Sequence, residues 1–252
     1  MKRTLLSVCA AAGLMCAGAH PVFVGHRGCD TGVENTADAF KNGVARGYTF
    51  MECDVRVTAD TQLVISHDAD FKRLGAELDI ATSTLEQLSQ AQLSQLRKTG
   101  EYTGTIATLS DFLEICKEGS VTPVIELKWS TGINSDDFSN IPLLISAIED
   151  AGMRGNCIIL TSMRPCLEYI RNTWPDIKLQ FLGAGNWQQH LPWCITLGLD
   201  VDIAHDCLTQ DQIDSCHSAG LKVNCWTVDS PERAAELTRM GVDYITTNAL
   251  VP

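Results

Sequence analysis

Short apolar runs recur along the chain and alternate with longer stretches in which apolar residues have helical spacing. The runs predict eight strands, at residues 22–26, 50–55, 122–127, 157–160, 177–182, 199–203, 222–226 and 243–246. The stretches between them predict helices at residues 35–45, 109–117, 137–151, 166–173, 187–197, 209–219 and 231–240. Apolar strands that alternate with helices are typical of parallel strands buried on both faces. Eight such units predict an α/β fold, a closed (β/α)8 TIM-type barrel.

Several predicted helices carry signals at their ends. Ser110 and Asp111 predict the start of one helix, and Ser230 before Pro231 predicts a cap and a first-turn proline in another. The glycines that follow three helices indicate left-handed caps: Gly152, Gly220 and Gly241. An open doubly wound sheet is the alternative fold. It is disfavoured because it usually needs fewer strands and because the glycine fingerprint of dinucleotide-binding sheets is absent.

The segment after the second strand breaks the strand–helix alternation. Alternating residues flank a polar turn at residues 59–61, which is too short for a parallel crossover and therefore predicts a hairpin. Its return strand brings His67 back beside Asp54 at the end of the second strand. A polar insertion with one predicted helix, at residues 85–98, follows at 70–107, so hairpin and insertion together span about 56–107.

The N-terminus has the pattern of an export signal. Lys2 and Arg3 precede an apolar run at residues 5–17, and Ala17-Gly18-Ala19 matches a cleavage site with small residues. This order predicts a signal peptide at residues 1–19 and one mature domain at residues 20–252, exported to the periplasm or secreted. A first core helix is the alternative. Lipid attachment at Cys16 is less favoured, because a bulky methionine precedes that cysteine.

Composition excludes several classes of protein. The chain has 252 residues, 45% hydrophobic and 20% charged, which is ordinary for a globular domain. Its net charge of −12 argues against nucleic-acid binding, since neutralising phosphates requires clustered Lys and Arg. No apolar run after the leader approaches the roughly 20 residues that span a bilayer, so stable membrane insertion is not expected.

Nine of the eleven cysteines follow the predicted leader. Their spacing lacks a doubled CxxC pattern, which argues against a zinc site. Cys53, Cys157 and Cys225 lie in apolar strands and are expected to be small buried core residues. Cys207 and Cys216 flank a predicted helix, and a disulfide between them is possible in an oxidising compartment.

Candidate chemistry lies at the ends of the strands, where barrels carry their reactive groups. Glu52 and Asp54 are two apart and therefore point to the same side, into the barrel mouth. Glu126 and Lys128 repeat this spacing on the third strand. Three converging carboxylates form an all-oxygen site that suits Mg²⁺ or Ca²⁺ better than Zn²⁺.

A salt-bridge network, with Arg27 and Lys128 balancing the acids, is the alternative interpretation of this cluster. It does not explain why His26 and His67 reach the same rim. Imidazole titrates near neutral pH, so a pair of histidines beside an acidic cluster favours acid–base catalysis.

These motifs, in their order, resemble the glycerophosphodiester phosphodiesterase family over nearly the whole mature chain. The matching segments are Gly25-His26-Arg27-Gly28, Glu34-Asn35-Thr36, Glu52-Cys53-Asp54-Val55, His67-Asp68, Glu126-Leu127-Lys128, Trp226-Thr227-Val228 and residues 241–248. Two positions depart from the family pattern. Val33 stands where proline is usual, and Asn248 stands where aspartate is usual. Neither is an expected metal ligand or acid–base residue, so only local changes are expected.

The resemblance implies a divalent cation, Mg²⁺ or Ca²⁺, held by Glu52, Asp54 and Glu126. The cation would bind a phosphate oxygen and offset its charge. Arg27 pairs with phosphate through its planar guanidinium, and Lys128 adds a compact positive charge.

The resemblance also implies that His26 and His67 are the general acid and base, with the two roles unassigned. Asn35 is expected to anchor the first loop and to contact the substrate, and Trp226 to line the substrate pocket. The expected reaction is hydrolysis of a small-molecule glycerophosphodiester to glycerol phosphate and an alcohol. Direct attack by water and attack by the neighbouring hydroxyl both stay open, as does the oligomeric state.

Two other functions stay open at this point. A phospholipase-type phosphodiesterase acting on lipid head groups would favour an apolar rim, whereas the insertion at 70–107 is polar. A non-catalytic barrel stabilised by Ca²⁺ would not need the two histidines. Turnover of a glycerophosphodiester with and without a chelator distinguishes these functions.

Overall fold

The computed structural model describes residues 20–252. The signal peptide at residues 1–19 lies outside the described residues and stays a prediction. None of the helices in residues 20–252 combines the length and apolar character needed to cross a membrane.

Residues 20–252 form eleven strands and eight α-helices. The strands are β1 (Val22–Gly25), β2 (Phe50–Val57), β3 (Leu63–Ile65), β4 (Leu93–Arg97), β5 (Gly100–Gly104), β6 (Thr122–Leu127), β7 (Ile158–Thr161), β8 (Lys178–Gly183), β9 (Asp200–Ala204), β10 (Val223–Trp226) and β11 (Tyr244–Thr247). The helices are α1 (Ala37–Ala45), α2 (Leu85–Ser89), α3 (Leu109–Glu118), α4 (Ile141–Asp150), α5 (Arg164–Thr173), α6 (Leu191–Leu197), α7 (Gln210–Ser218) and α8 (Pro231–Met240).

Eight of the strands close into a parallel barrel. Their order around it is β1, β2, β6, β7, β8, β9, β10 and β11, and β1 pairs with both β2 and β11. The predicted (β/α)8 fold is confirmed. Because every barrel strand runs the same way, all eight carboxyl ends meet at one mouth.

The strands alternate between two surroundings. Outward-facing residues such as Cys53, Ile125 and Ile203 are fully buried and form the main core with helix residues such as Phe112 and Leu167. Inward-facing residues near the barrel floor form a separate apolar cluster: Val24, Val124, Ile158, Leu160 and Tyr244. The inward-facing residues that line the mouth include Glu52, Glu126 and Asp202 beside the apolar Leu160 and Leu182, so charged and apolar side chains meet there.

The predicted helix ends are mostly confirmed. The Ser230 side chain accepts a hydrogen bond from the backbone of Arg233, and Gly152, Gly220 and Gly241 adopt left-handed conformations with φ of 72°, 77° and 89°. The helix predicted at residues 109–117 is confirmed as α3, but the predicted cap was wrong. Its cap is Thr108, whose hydroxyl accepts from the Asp111 N–H while the Asp111 carboxylate accepts from the Thr108 N–H.

The hairpin after β2 is confirmed. β3 pairs antiparallel with β2, with Val55 opposite Ile65, and the Ser66 N–H donates to the Asp54 carbonyl at 2.8 Å. His67 therefore lies at the barrel mouth next to the carboxyl end of β2, although β3 adds no strand to the closed barrel.

The helix predicted at residues 85–98 begins where expected, but its predicted length was wrong. Helix α2 ends at Ser89, and residues 93–97 form a strand that pairs with β5. Side chains in β4 alternate in exposure, from buried Leu93 to Leu96 at 82% exposed, which is the period of a strand. This hairpin brings Gln95 to the barrel mouth, where it contacts Glu34.

All nine cysteines in the described part of the chain are free thiols. Cys53, Cys157 and Cys225 are buried, as predicted. The possible disulfide between Cys207 and Cys216 is not formed. Cys216 is a buried residue of α7, whereas the Cys207 sulfur accepts a hydrogen bond from the Gly185 N–H in another loop.

Candidate active site

A cavity of about 130 Å³ opens at the mouth of the barrel. It is lined by His26, Arg27, Glu52, His67, Glu126, Lys128, Leu160, Leu182, Asp202, Trp226, Thr227 and Thr246. Seven of the nine residues nominated from the sequence are in this lining. The other two, Asp54 and Asn35, are buried directly behind it.

The loop after β1 places Arg27 at the centre of the mouth. Arg27 adopts a left-handed conformation, with φ of 52°, and its N–H donates to a Glu52 carboxylate oxygen at 2.9 Å. The following Gly28 has φ of 94°, and a Cβ there would lie 2.7 Å from the backbone of Ala39 in α1. The loop therefore packs closely on α1 and holds Arg27 in place.

Three carboxyl groups converge beside this loop. Glu52 and Asp54 point inward from β2, and Glu126 lies opposite Asp54 in the register of β2 and β6. One carboxylate oxygen from each lies within 4.8 Å of the others. Glu52 and Asp54 are buried and Glu126 is half-buried, so water screens their mutual repulsion weakly.

Burial and mutual repulsion separate the pKa values of these acids. Burial and the charges on Asp54 and Glu126 raise the pKa of Glu52 well above its ordinary value. Burial and Asp54 raise the pKa of Glu126 to about 7. Burial also acts on Asp54, but Arg27 and Lys128 outweigh it and lower its pKa. Without a cation, the three acids therefore lose their protons in separate steps, and Asp54 loses its proton first.

Two basic side chains and one amide contact the charged carboxylate, Asp54. Arg27 Nε lies 3.2 Å from Asp54 Oδ2, and Lys128 Nζ lies 3.5 Å from Oδ1 and 2.8 Å from Glu126 Oε1. Asn35 Nδ2 donates to Asp54 Oδ2 at 2.8 Å. Asn35 is only 3% exposed, so the structure places it as a support for Asp54, outside the cavity wall.

His26 is held by a short chain of hydrogen bonds. Asn248 Nδ2 donates to Asp229 Oδ2 at 2.8 Å, which turns Asn248 Oδ1 toward His26 Nδ1 at 2.9 Å. Since that oxygen accepts, Nδ1 carries the proton and Nε2 keeps its lone pair. Asn248, which stands where aspartate is usual, therefore contacts a candidate acid–base residue directly. The sequence indicated only a local change at this position.

The His67 ring is oriented by the Asp68 carboxylate, and the loop that carries His67 is held by Arg56. Its Nδ1 lies 2.7 Å from Asp68 Oδ1, so Nδ1–H donates there and Nε2 is again unpaired. Arg56 Nε and Nη2 donate to the His67 carbonyl at 3.2 and 2.6 Å, and Nη1 donates to the Trp129 carbonyl at 2.7 Å. Arg56 thereby fixes the loop that carries His67 to the loop after β6.

The surroundings of both imidazoles favour the neutral form at pH 7. Burial, followed by the charge on Arg27, lowers the pKa of His26 to about 4. The same two causes lower the pKa of His67. Each ring therefore offers an unprotonated Nε2 that can accept a proton.

Glu34 joins the β1 loop to the insertion. It accepts from Arg27 Nη1 at 2.9 Å, from Arg73 Nη1 at 3.0 Å and from Gln95 Nε2 at 2.7 Å. Arg73 Nε in turn donates to Asp68 at 2.7 Å. Burial raises the pKa of Glu34, but the contacts with Arg73 and Arg27 outweigh it, and its pKa is well below the ordinary range.

We expect Glu34→Gln to destabilise the protein in a pH-dependent way. The depressed pKa means that the Glu34 carboxylate stabilises the fold above its unfolded pKa of about 4.3 and loses this effect as pH falls toward the folded value. At pH 7 the variant should lose roughly 2 kcal/mol of unfolding free energy, measured by urea titration, since hydrogen bonds to a charged group are removed.

The same comparison at pH 3 should show a smaller difference, because the Glu34 carboxyl group of the unfolded chain is then mostly protonated and must release its proton on folding. Glu114 is exposed on α3 and forms no ion pair within residues 20–252, so Glu114→Gln should change neither value. An equal loss for Glu34→Gln at both pH values would contradict the electrostatic explanation.

The sequence analysis missed two parts of the site. Arg73 lies in the insertion, and no local pattern connects it to a residue 39 positions earlier. Asp202 on β9 lines the cavity and is 4% exposed. A signal for it was present, because Asp200 and Asp202 have the same i, i+2 spacing as Glu52 and Asp54.

Comparison with known proteins agrees with this geometry. The sequence model of the Glycerophosphoryl diester phosphodiesterase family matches residues 25–251. The chain belongs to this family. The resemblance seen in the sequence motifs is therefore confirmed over nearly all the described residues.

Individual relatives of the family are similar over their whole length. A glycerophosphodiester phosphodiesterase from Caldanaerobacter subterraneus subsp. tengcongensis is 28% identical over 236 residues, which are 89% of this chain and 93% of the relative. A phosphodiesterase from Oleispira antarctica, solved with its product sn-glycerol-3-phosphate, has a TM-score of 0.76 at 21% identity, covering 91% of this chain and 93% of its own. A glycerophosphodiester phosphodiesterase from Parabacteroides distasonis gives 0.76 at 23% identity, with coverage of 91% and 93%. These structures share the fold of this chain.

Proposed function

We propose that this protein hydrolyses glycerophosphodiesters to glycerol phosphate and an alcohol. The observation that carries the proposal is the convergence, in one cavity, of two neutral imidazoles and a trio of carboxyl groups on a barrel of this family. Each group has a task in cleaving a phosphodiester, and its neighbours hold it in place.

The carboxyl trio fits a divalent cation. Glu52, Asp54 and Glu126 offer oxygen atoms within 4.8 Å of one another, and Asp54 Oδ1 is buried without a hydrogen-bond partner in the described residues. Oxygen donors of this kind suit Mg²⁺ or Ca²⁺. A cation bound there supplies positive charge that offsets the negative charge of the phosphodiester.

Arg27 and Lys128 are the residues that bind the phosphate group. Both line the cavity, and both now lie against the carboxylates of Asp54 and Glu126. Arg27 is held from two sides, by Glu34 and Asp54, so its guanidinium is oriented before the substrate arrives. This orientation lowers the entropy lost on binding an anion and adds bidentate geometry.

The imidazoles of His26 and His67 move the protons. One Nε2 takes the proton from the attacking oxygen as its bond to phosphorus forms. The other ring, which first takes up a proton from solvent at its Nε2, delivers that proton to the alcohol oxygen as its bond to phosphorus breaks. Asp68 stabilises positive charge on His67, and Asn248 fixes the tautomer of His26, so both rings are oriented through Nδ1.

The test is turnover of glycerophosphocholine by the purified protein in the presence of Mg²⁺ or Ca²⁺. We expect equimolar release of glycerol phosphate and choline, each measured by a coupled enzymatic assay. Lysophosphatidylcholine presented in micelles should be cleaved more slowly, because the insertion that borders the mouth is mainly polar. Leu96 is the one large apolar residue that the described insertion exposes, which is too little apolar surface to hold a micelle.

Two results would contradict the proposal. Faster cleavage of the lysolipid would favour the phospholipase-type function. Absence of turnover, together with Ca²⁺-dependent stabilisation against heat, would favour a non-catalytic barrel. Neither alternative is favoured by the family match or by the paired imidazoles.

A further inference from the structure

The active-site cavity has two chemically different walls. One wall is charged and carries the histidines, the carboxyl trio and the two basic residues described above. The other wall is mainly apolar, with Leu160, Leu182 and the Trp226 indole. Asp202 is the single carboxyl group of this second wall among the described lining residues.

The Asp202 side chain forms no hydrogen bond within residues 20–252. It is 4% exposed, and its Oδ1 is buried without a hydrogen bond in the part of the chain that the structure describes. Removing a carboxyl oxygen from water without a replacement partner destabilises a fold by about 1–3 kcal/mol. An apolar residue at this position would avoid that penalty, so a ligand that supplies the missing hydrogen bond explains the carboxyl group.

The neighbouring polar residues do not supply this bond. Asn224, beside Asp202 on β10, donates to Gln180 at 3.4 Å and accepts from Thr246 at 3.2 Å. These three side chains satisfy one another. Trp226 Nε1 donates to the backbone carbonyl of Asp202 at 3.3 Å, which fixes the indole but leaves the carboxyl group directed to the cavity wall.

The chemistry of Asp202 limits what it binds. It is outside the group of acids whose oxygens lie within 4.8 Å of one another, so it is not part of the cation site. The phosphate group is already bound at the charged wall by Arg27 and Lys128, which leaves Asp202 to contact the organic part of the ligand. A hydroxyl group suits it, because a hydroxyl both donates to and accepts from a carboxyl group.

We propose that Asp202 hydrogen-bonds a hydroxyl group of the glycerol moiety and selects phosphodiesters that carry it. This inference rests on the proposed function and names the part of the substrate that the second wall recognises. Trp226 and Leu182 cover the carbon chain on either side of that hydrogen bond.

The test compares two ligands that differ only in their hydroxyl groups, glycerol 3-phosphate and propyl phosphate. Each is titrated by calorimetry into the wild type and into Asp202→Val, with saturating Mg²⁺. We expect the wild type to bind glycerol 3-phosphate about tenfold more tightly than propyl phosphate, as one hydrogen bond to a buried carboxyl group implies. Asp202→Val should remove this preference and leave the affinity for propyl phosphate unchanged.

Two further variants complete the design. Asp202→Asn keeps the shape of the side chain and should reduce the preference even where the valine variant does not fold. Asp200→Asn is the matched control on the same strand, because Asp200 accepts from the Lys222 N–H, lines no part of the cavity, and should leave the preference intact.

A preference that persists in both Asp202 variants, or a wild type without one, would overturn the inference. Equal weakening of both ligands would do so too, since it would indicate a purely structural role. The proposed function is judged separately, by wild-type turnover of glycerophosphocholine. An active wild type whose ligand preference does not depend on Asp202 refutes only the role of Asp202.

Discussion

Replacing either His26 or His67 by alanine should lower kcat for glycerophosphocholine by about 100-fold or more, the usual contribution of a positioned proton-transfer group. KM should change far less, because Arg27, Lys128 and the carboxyl trio stay in place to bind the phosphate group. The loss is expected in both variants, since the attacking oxygen and the leaving alcohol each need a proton transfer. Steady-state kinetics at pH 7 measures both constants.

His217→Ala is the matched control for these variants. His217 also pairs with a carboxylate, Asp243, at 2.9 Å, but it lies on α7 and outside the cavity. Its loss should leave kcat within about twofold. If His26→Ala or His67→Ala kept more than a tenth of wild-type kcat while folded, that imidazole would not transfer a proton in the reaction.

Removing divalent cations should abolish turnover. The charge of the phosphodiester then meets a cluster whose acids repel it, and Arg27 and Lys128 already lie against Asp54 and Glu126. Dialysis against EDTA should lower the rate at least 100-fold, given that a bound metal contributes several kcal/mol to such reactions. Adding back Mg²⁺ or Ca²⁺ in excess should restore it, and the ion that does so at the lower concentration identifies the preferred metal.

Substitution of one acid of the trio also tests whether activity depends on a bound cation. Glu126→Gln should raise the cation concentration required for half-maximal activity, because it removes one charged oxygen donor. Glu114→Gln, an exposed substitution on α3, should not. Full activity after chelation would show that the carboxyl trio is an ion-pair network balanced by Arg27 and Lys128, the alternative raised by the sequence.

Much of the site followed from strand periodicity. Glu52 and Asp54 are two apart on one strand and Glu126 begins the same pattern on the next, so parallel pairing was enough to place them together. The short turn at residues 59–61 permitted only a hairpin, which placed His67. The secondary structure of residues 85–98 was harder to predict. The spacing of Leu93 and Leu96 fits a helix, and it gives no sign of the strand that the structure has there.

The residues that hold the site residues in place could not be predicted from local sequence patterns. Arg73, Asn248 and Arg56 act through partners that are distant in sequence, and tertiary structure alone sets those contacts. The position of Asn35 behind the cavity wall was also not evident, because the sequence does not distinguish a buried asparagine from one that lines a pocket. Its contact with Asp54 became evident only from the packing of the β1 loop on β2.

A crystal structure with Ca²⁺ and glycerol 3-phosphate tests the central claim most directly. We expect the cation to be bound by Glu52, Asp54 and Glu126, and the phosphate group to lie between the Nε2 atoms of His26 and His67. A cation bound elsewhere, or a phosphate group that only one imidazole reaches, would contradict the account.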